Sequence, residues 1–376
     1  MHINEVFNRT RAALKGGVVT LKTPVQERGS VLLSYFTHPF LAHDGRSLTA
    51  HTNYAEAWMI VDILHSRGFS VDVVDAAKHT FIPRKPYAMV IDTDGNLERY
   101  AKYVPSHCKK VAYALTSHWL VNNTAELARL HDFSVRRGAT LPPERLLTPS
   151  RSEEIADYFL YFGNARTLSG YTPGIKTKVC NIPASSVTTH APVERDDASR
   201  LGFVWIGGAG PIHKGLDLLI DALYQLPTFR LELCGKHTEK AFEDHYRTEL
   251  GAPSFVRHGV IDLQSKKFEQ IRARNAFLVS PSCAEGQSGA VISGMHAGLI
   301  PIVSDACGID THDFGITLPD CSLDTIKKTL VACSSMPEVE RKERSIKAAR
   351  YAQTHHTKET FKIAFENSIS TALSTP

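Results

Sequence analysis

The sequence predicts an α/β protein built from two open, doubly wound domains, and three observations carry that expectation. Short β-branched or aliphatic runs alternate with longer amphipathic segments along almost the whole chain, the rhythm of parallel strands joined by crossover helices. The rhythm breaks at a polar stretch from Ser185 to Arg200, with Pro192 and mixed charge, and restarts directly after it, as an interdomain linker would. The length, 376 residues, suffices for two cores.

Taken in order, the strands expected in the N-terminal half are 31–36, 71–75, 89–92 and 110–115. The first helix is expected to start at Asn53, with Glu56 three residues on in the spacing of a capping box. Tyr54, Ala57, Trp58, Val61 and Leu64 then recur at helical spacing and Gly68 supplies the stop, so this unit reads as βαβ. After the linker, strands are expected at 202–206, 230–234, 276–280 and 300–303, with Leu216, Leu219, Ile220, Leu223 and Leu226 forming one face of the first helix. A last helix, about 358–372, follows the second core and is placed to pack back across the first domain. The expected division is therefore 1–185 for the first domain, 186–200 for the linker, 201–355 for the second domain and 356–376 for the returning helix. Two such domains leave a cleft between the carboxyl ends of their sheets, where doubly wound folds place ligands.

Composition narrows the class. Hydrophobic residues make up 43% and charged residues 22%, ordinary globular values that exclude a disordered or disulfide-built chain. The net charge of +4 is spread over isolated pairs such as Lys109-Lys110 and Arg136-Arg137, so no nucleic-acid partner is expected. The seven cysteines include no CxxC pair, which argues against a zinc clip and for small core residues in a reducing compartment. Neither a signal-peptide core nor a membrane-length apolar run stands out. The expectation is a cytoplasmic protein whose membrane contact, if any, is peripheral.

Two stretches carry the chemistry. In WIGGAGPIHKGLDLLIDAL a strand runs into Gly207, Gly208 and Gly210, followed by His213, Lys214 and an amphipathic helix. Such a loop lets backbone N–H groups approach a diphosphate while a lysine adds positive potential. It is neither GxGxxG leading directly into a helix nor a P-loop. In FLVSPSCAEGQSGAVISGMHAGLIPIVSDACG a buried strand ends in Glu285, Gly286, Gln287, Ser288 and Gly289 before a helix. The small residues allow close approach of a ligand, and Glu285 stands as a carboxylate beside an anion site, suited to sugar hydroxyls or a developing cation.

The order and spacing of these stretches resemble the retaining glycosyltransferases of family four, which have the GT-B fold of two Rossmann-like domains. The resemblance lies in Lys214-Gly215-Leu216-Asp217, in Glu285-Gly286, and in the helix end Met295-His296-Ala297-Gly298-Leu299-Ile300-Pro301. It implies that the C-terminal domain binds the nucleotide-sugar donor, that Lys214 neutralises the diphosphate and that Glu285 contacts the donor sugar. Two positions depart from the family pattern. The second glutamate, eight residues after the first, is Ser293, and the arginine beside the first-loop glycine is Gly208 or Ala209. The resemblance also places His118, after the strand ending at Leu115, near the donor sugar as a third catalytic candidate.

On the acceptor side the long first connection, THPFLAHDGRSLTAHTN, offers Gly45, His51 and Asn53. No cofactor is obligatory on this reading, and no metal is expected. His355-His356 lacks acidic or cysteine partners at ligand spacing, and Asp92-Thr93-Asp94 follows an N-terminal strand, far in sequence from the donor loops. The expected activity is hexosyl transfer with retention to a glycan, lipid-linked or small-molecule acceptor, in glycan or glycoconjugate synthesis. Three alternatives stand beside it: an inverting transferase using His118 or Asp92 as base, a catalytically silent nucleotide-sugar-binding protein, and a nicotinamide oxidoreductase.

Overall fold

Uninterrupted apolar runs such as Val31-Leu32-Leu33, with no exposed surface, are what a parallel strand covered on both faces requires, and they organise two sheets. A computed structural model of the chain describes residues 13–15, 17–41, 52–186, 188–235 and 239–374. The front sheet contains β1 (Ala13–Lys15), β2 (Val18–Leu21), β3 (Gly29–Tyr35), β4 (Phe69–Asp75), β5 (Met89–Asp92), β6 (Lys109–Ala114), β7 (Tyr158–Tyr161) and β8 (Lys178–Asn181). Its order is β1-β2-β4-β3-β5-β6-β7-β8, parallel from β4 to β8 with an antiparallel β1–β2 edge. The rear sheet contains β9 (Gly202–Gly207), β10 (Arg230–Gly235), β11 (Phe255–Gly259), β12 (Phe277–Ser280), β13 (Ile300–Ser304) and β14 (Ile316–Leu318). It is parallel throughout, in the order β11-β10-β9-β12-β13-β14.

Strand order reverses between β3 and β5 in front and between β9 and β12 behind. A crevice opens at each switch point, because the loops leave toward opposite faces of the sheet. The eight strands expected from sequence are β3 to β6, β9, β10, β12 and β13, with ends within two residues of the expected ones. Of the others, β1, β8, β11 and β14 are edge strands and β2 alternates, while β7 is interior and fully buried but only four residues long.

Helix α1 (Thr52–Ser66) begins one residue before the expected cap, so Asn53 lies in its first turn. The capping box with Glu56 does not form. Glu56 is buried, and its Oε1 accepts instead from the Ser185 backbone N–H (3.0 Å) and hydroxyl (2.9 Å). Tertiary burial outcompetes the local cap here. Helix α2 (Trp119–Arg137) lies between β6 and β7 in the chain yet docks on the rear sheet's flank. Its Phe133 is packed into the core of Phe203, Leu219 and Tyr246, and Arg136 bonds to both Asp217 and Asp221. The rear unit adds α3 (Leu216–Tyr224), α4 (Gly289–His296) and α5 (Glu338–His355). Helix α6 (Lys358–Ser374) returns to the front: Phe361 and Phe365 pack against Phe162 and Tyr113, and Arg67 from the end of α1 bonds Glu366 at 3.1 Å. No helix of the described residues is long and apolar enough to cross a membrane.

Candidate active site at the rear switch point

The loops leaving β9 and β12 meet at the rear switch point. Lys214 and Gly215 close the first loop, and Gly215 has φ +69° with its α-carbon against the Pro281 carbonyl, where a Cβ would lie 2.5 Å from the oxygen. Only glycine fits there, and this contact locks the β9 loop to the β12 loop. Lys214 Nζ then donates to Glu285 Oε1 at 2.5 Å, and Ser282 Oγ donates to the same oxygen at 3.2 Å. Burial pushes the Glu285 carboxyl up, but Lys214, Arg145 and His213 overcome it and hold it at about 2. A permanent carboxylate and its ammonium partner therefore face each other across the crevice.

His213 supports them from below. It is buried, its Nε2–H donates to the Ala284 carbonyl at 2.6 Å, and its Nδ1 lies 3.5 Å from Glu126 Oε2. The ring thus fixes the residue next to Glu285 and is not free to reach a ligand. The glycines divide into two groups. A Cβ on Gly207 would run into the Trp205 ring, one on Gly210 would meet the Arg145 stem, and one on Gly286 would lie 2.6 Å from the Leu115 carbonyl. Gly208 and Gly289 instead face open space. The Gly210 N–H is shared by Glu144 Oε2 at 3.1 Å and Glu239 Oε1 at 3.3 Å, so it is not available to an incoming anion.

The β12 loop is tied down at most of its other positions. Thr167 Oγ1 donates to the Gly286 carbonyl (2.9 Å), Gln287 Oε1 accepts from the Ala184 N–H (2.8 Å), and the Ser288 N–H donates to Cys307 O (3.0 Å). Ser293 Oγ donates back to the Gly289 carbonyl at 2.8 Å. Ser288 makes no side-chain cap for α4, which leaves the first amides of that helix uncapped beside the open Gly289. Helix amides in that state suit phosphate or sugar oxygens.

From the front half, residues 115 and 116 pack on Gly286, which brings the β6 loop to the same crevice. His118 lies there, but as a structural cap. Its Nδ1 accepts from the Leu120 N–H (3.4 Å) while Nε2–H donates to Glu153 (3.2 Å). Asp92 is buried and accepts from the Asn96 and Leu97 amides, so neither candidate base is free in this arrangement. Asp94 is pushed up to about 6 by burial, against the opposing pull of His79. Gly45 and His51 lie outside the described residues, and Asn53 is half-exposed in α1. Among the described residues no group of three or more His, Cys, Asp or Glu is placed to hold a metal. His356 Nδ1 donates to Ala184 O (3.0 Å), and burial holds its imidazole down at about 4.

Sequence reasoning missed Glu126, Arg145 and Thr167, which reach this site from the front half. They stand 65 or more positions from the loop residues they touch, and no local periodicity marks them.

Two largely parallel sheets with crossover helices, the β6 loop of one packed on the β12 loop of the other, have the layout of the GT-B fold. Residues 200–334 match the family model described as Glycosyl transferases group 1. Among solved structures, sucrose-phosphate synthase from Thermosynechococcus elongatus superposes with TM-score 0.64 at 14% identity, over 92% of this chain and 99% of that one. Anabaena HepE, solved with UDP-glucose, gives 0.52 at 13% identity over 91% and 99%. Staphylococcal (S. aureus) TarM, solved with UDP, gives 0.55 at 12% identity over 76% of this chain and 55% of that chain. The chain thus spans about half the length of TarM, and at these identities the likeness is one of fold. No curated protein sequence matches the chain.

Proposed function

We propose that the chain is a glycosyltransferase that takes a sugar from a nucleoside-diphosphate donor to an acceptor hydroxyl with retention and without an obligatory metal. The observation that carries this reading is the Lys214–Glu285 pair, set between the open Gly208 and the uncapped amides at Gly289. On this reading the rear unit, about 201–355, binds the donor and the front unit binds the acceptor.

The diphosphate lies between Gly208, Lys214 and the first amides of α4, with Lys214 shared between it and Glu285. The bond from the anomeric carbon to the β-phosphate oxygen breaks and its electron pair leaves on that oxygen, where the ammonium and amides meet the new charge. The acceptor oxygen bonds to the anomeric carbon from the same face, and its proton passes to the departing phosphate. Glu285 accepts from sugar hydroxyls and balances positive charge on the ring. The front-half contacts at Gly286 exclude water from this centre. TarM and HepE, solved with UDP or UDP-glucose, support a nucleoside-diphosphate donor, and the acceptor is a glycan, lipid-linked or small-molecule hydroxyl.

The test is a panel of nucleotide sugars scored by thermal shift and by donor hydrolysis, followed by K214A and E285A. Turnover at least tenfold lower with the fold intact is the expected result; unchanged turnover removes the residue from its role. A second reading, binding without turnover, is favoured by Ser293, whose hydroxyl is spent on Gly289 O where a carboxylate would meet the ribose. Saturable donor binding with no hydrolysis and no transfer would select it.

A further inference from the structure

The β9 loop carries no arginine of its own, and the fold brings one to it from the front half. Arg145 lies in the extended segment after α2, and its stem crosses Gly210 so closely that a Cβ there would sit 2.5 Å from Arg145 Cδ. This segment is held to an unusual degree for a loop. Glu126 Oε1 accepts from the Glu144 N–H (2.7 Å) and the Arg145 N–H (2.8 Å), and Asn122 Nδ2 donates to the Arg145 carbonyl (2.7 Å). Asn123 both donates to Leu147 O and accepts from Leu147 N, each at 2.8 Å. Three side chains on one face of α2 thus fix the backbone on both sides of the arginine. The other oxygen of Glu126 faces His213, which holds Ala284 beside Glu285. One carboxylate therefore registers Arg145 against the Lys214–Glu285 centre.

The guanidinium has no hydrogen-bond or ion-pair partner among the described residues, and its Nε is buried. On neighbouring α2, by contrast, Arg129 donates to the Pro281 carbonyl and Arg136 and Arg137 to carboxylates. A buried donor left unpaired is costly unless something absent from the protein accepts from it. The Arg145 charge is also felt at Glu285, where it adds to Lys214 in holding the carboxyl down. An unpaired guanidinium carried over the β9 loop therefore suits an anion bound at that loop, and a planar fork of donors matches phosphate oxygens.

We propose that Arg145 donates to the donor's diphosphate opposite Lys214, so that the anion site is completed across the seam with one cation from each half. This rests on the nucleotide-sugar reading above and deepens it. The missing first-loop arginine is then replaced in space by a residue 63 positions upstream of Gly208. Donor affinity also becomes dependent on the packing of α2 against the rear sheet.

The test uses the full chain as wild type, R145Q and R145K, with calorimetric titration of UDP, GDP, ADP and inorganic pyrophosphate, and with donor KM and kcat. R145Q keeps the stem over Gly210 and removes the charge. It is expected to weaken the best-bound diphosphate roughly ten- to hundredfold, to weaken pyrophosphate in parallel and to leave the melting temperature unchanged. R145K is expected to recover part of that loss. R145Q binding within twofold of wild type, while K214A weakens binding, overturns the proposal and leaves the glycosyltransferase reading standing. A loss that R145K does not relieve and that tracks a lowered melting temperature overturns it too, because it assigns Arg145 a packing role. A wild type that binds none of the nucleotides or pyrophosphate removes the underlying reading and this proposal with it.

Discussion

Lys214 and Glu285, 71 residues apart in the chain, meet at 2.5 Å with side chains only 15% and 12% exposed. The pair makes a stability prediction independent of catalysis. Glu285 titrates near 2 in the folded protein against 4.5 as its ordinary value, so its contribution is present above about pH 4.5 and is lost as pH falls toward 2. K214M leaves this carboxylate with the Ser282 hydroxyl and the charges of Arg145 and His213. After allowance for the remaining exposure, the expected loss is about 2 kcal/mol at pH 7, shrinking toward pH 3. Urea unfolding at the two pH values reads this directly, and an equal loss at both would contradict the pairing.

Two glycines of the same loop should respond in opposite ways. At Gly215 a methyl group meets the Pro281 carbonyl in a left-handed backbone, so G215A should cost about 2–3 kcal/mol and shift the β12 loop that carries Glu285. Gly208 faces open space, so G208A should change stability by no more than about 0.5 kcal/mol. It should nevertheless raise donor KM, because the methyl stands where the diphosphate is proposed to lie. Thermal melts beside donor titrations separate the two effects, and a G208A protein with normal donor affinity would move the diphosphate elsewhere.

Glu56 provides a second pH signature, of opposite sign. Burial pushes its carboxyl up to about 7, although hydrogen bonds from Ser185 pull it down, and its Oε2 and the hydroxyls of Tyr35 and Tyr113 have no hydrogen-bond partners among the described residues. A folded value above 4.5 means that this group favours the fold below about pH 4.5 and that the benefit is lost as pH rises toward 7. E56Q keeps an oxygen for Ser185 and cannot ionise. It should therefore be more stable than wild type by roughly 2–3 kcal/mol at pH 8, with the gap closing near pH 4.5. A pH-independent difference between the two proteins would show that folding does not raise the Glu56 carboxyl.

Most central strands of both sheets, though not β7, were readable from sequence because a strand covered on both faces is mainly apolar, as in Val31-Leu32-Leu33 and Phe277-Leu278-Val279. Edge strands β8 and β14, with little to bury, leave no such trace. Lys214 and Glu285 were readable as separate loop residues, since glycine spacing and a helix start are local features. Their contact was not, because it depends on Gly215 resting against Pro281. Glu126 and Arg145 were invisible for the same reason: their roles arise only when α2 crosses from the front sheet to the rear one. Glu56 shows the converse failure, where a local capping pattern yielded to a buried partner 129 residues away.

The aspartate of the Lys-Gly-Leu-Asp stretch has a structural role in this arrangement, and that leads to the last prediction. Asp217 is fully buried at the start of α3, where Arg136 of α2 bonds to it and to Asp221, and Arg137 bonds Glu249 at 2.5 Å. Burial raises the Asp217 carboxyl, with Arg129 and Arg136 opposing. R136M would leave Asp217 without its hydrogen-bonded partner and Asp221 with Arg137 alone, at 3.4 Å, and should cost about 3 kcal/mol. Neutralising the acids as well, in R136M/D217N/D221N, should recover much of that loss, because the penalty comes from the orphaned charge and not from the missing contact. If the triple variant is no more stable than R136M in urea unfolding, the arginine acts by packing its stem against the helix instead. Because the same face of α2 carries Glu126 and positions Arg145, R136M should also weaken diphosphate binding, whereas a change at Val339, which is 78% exposed, should leave it unaltered.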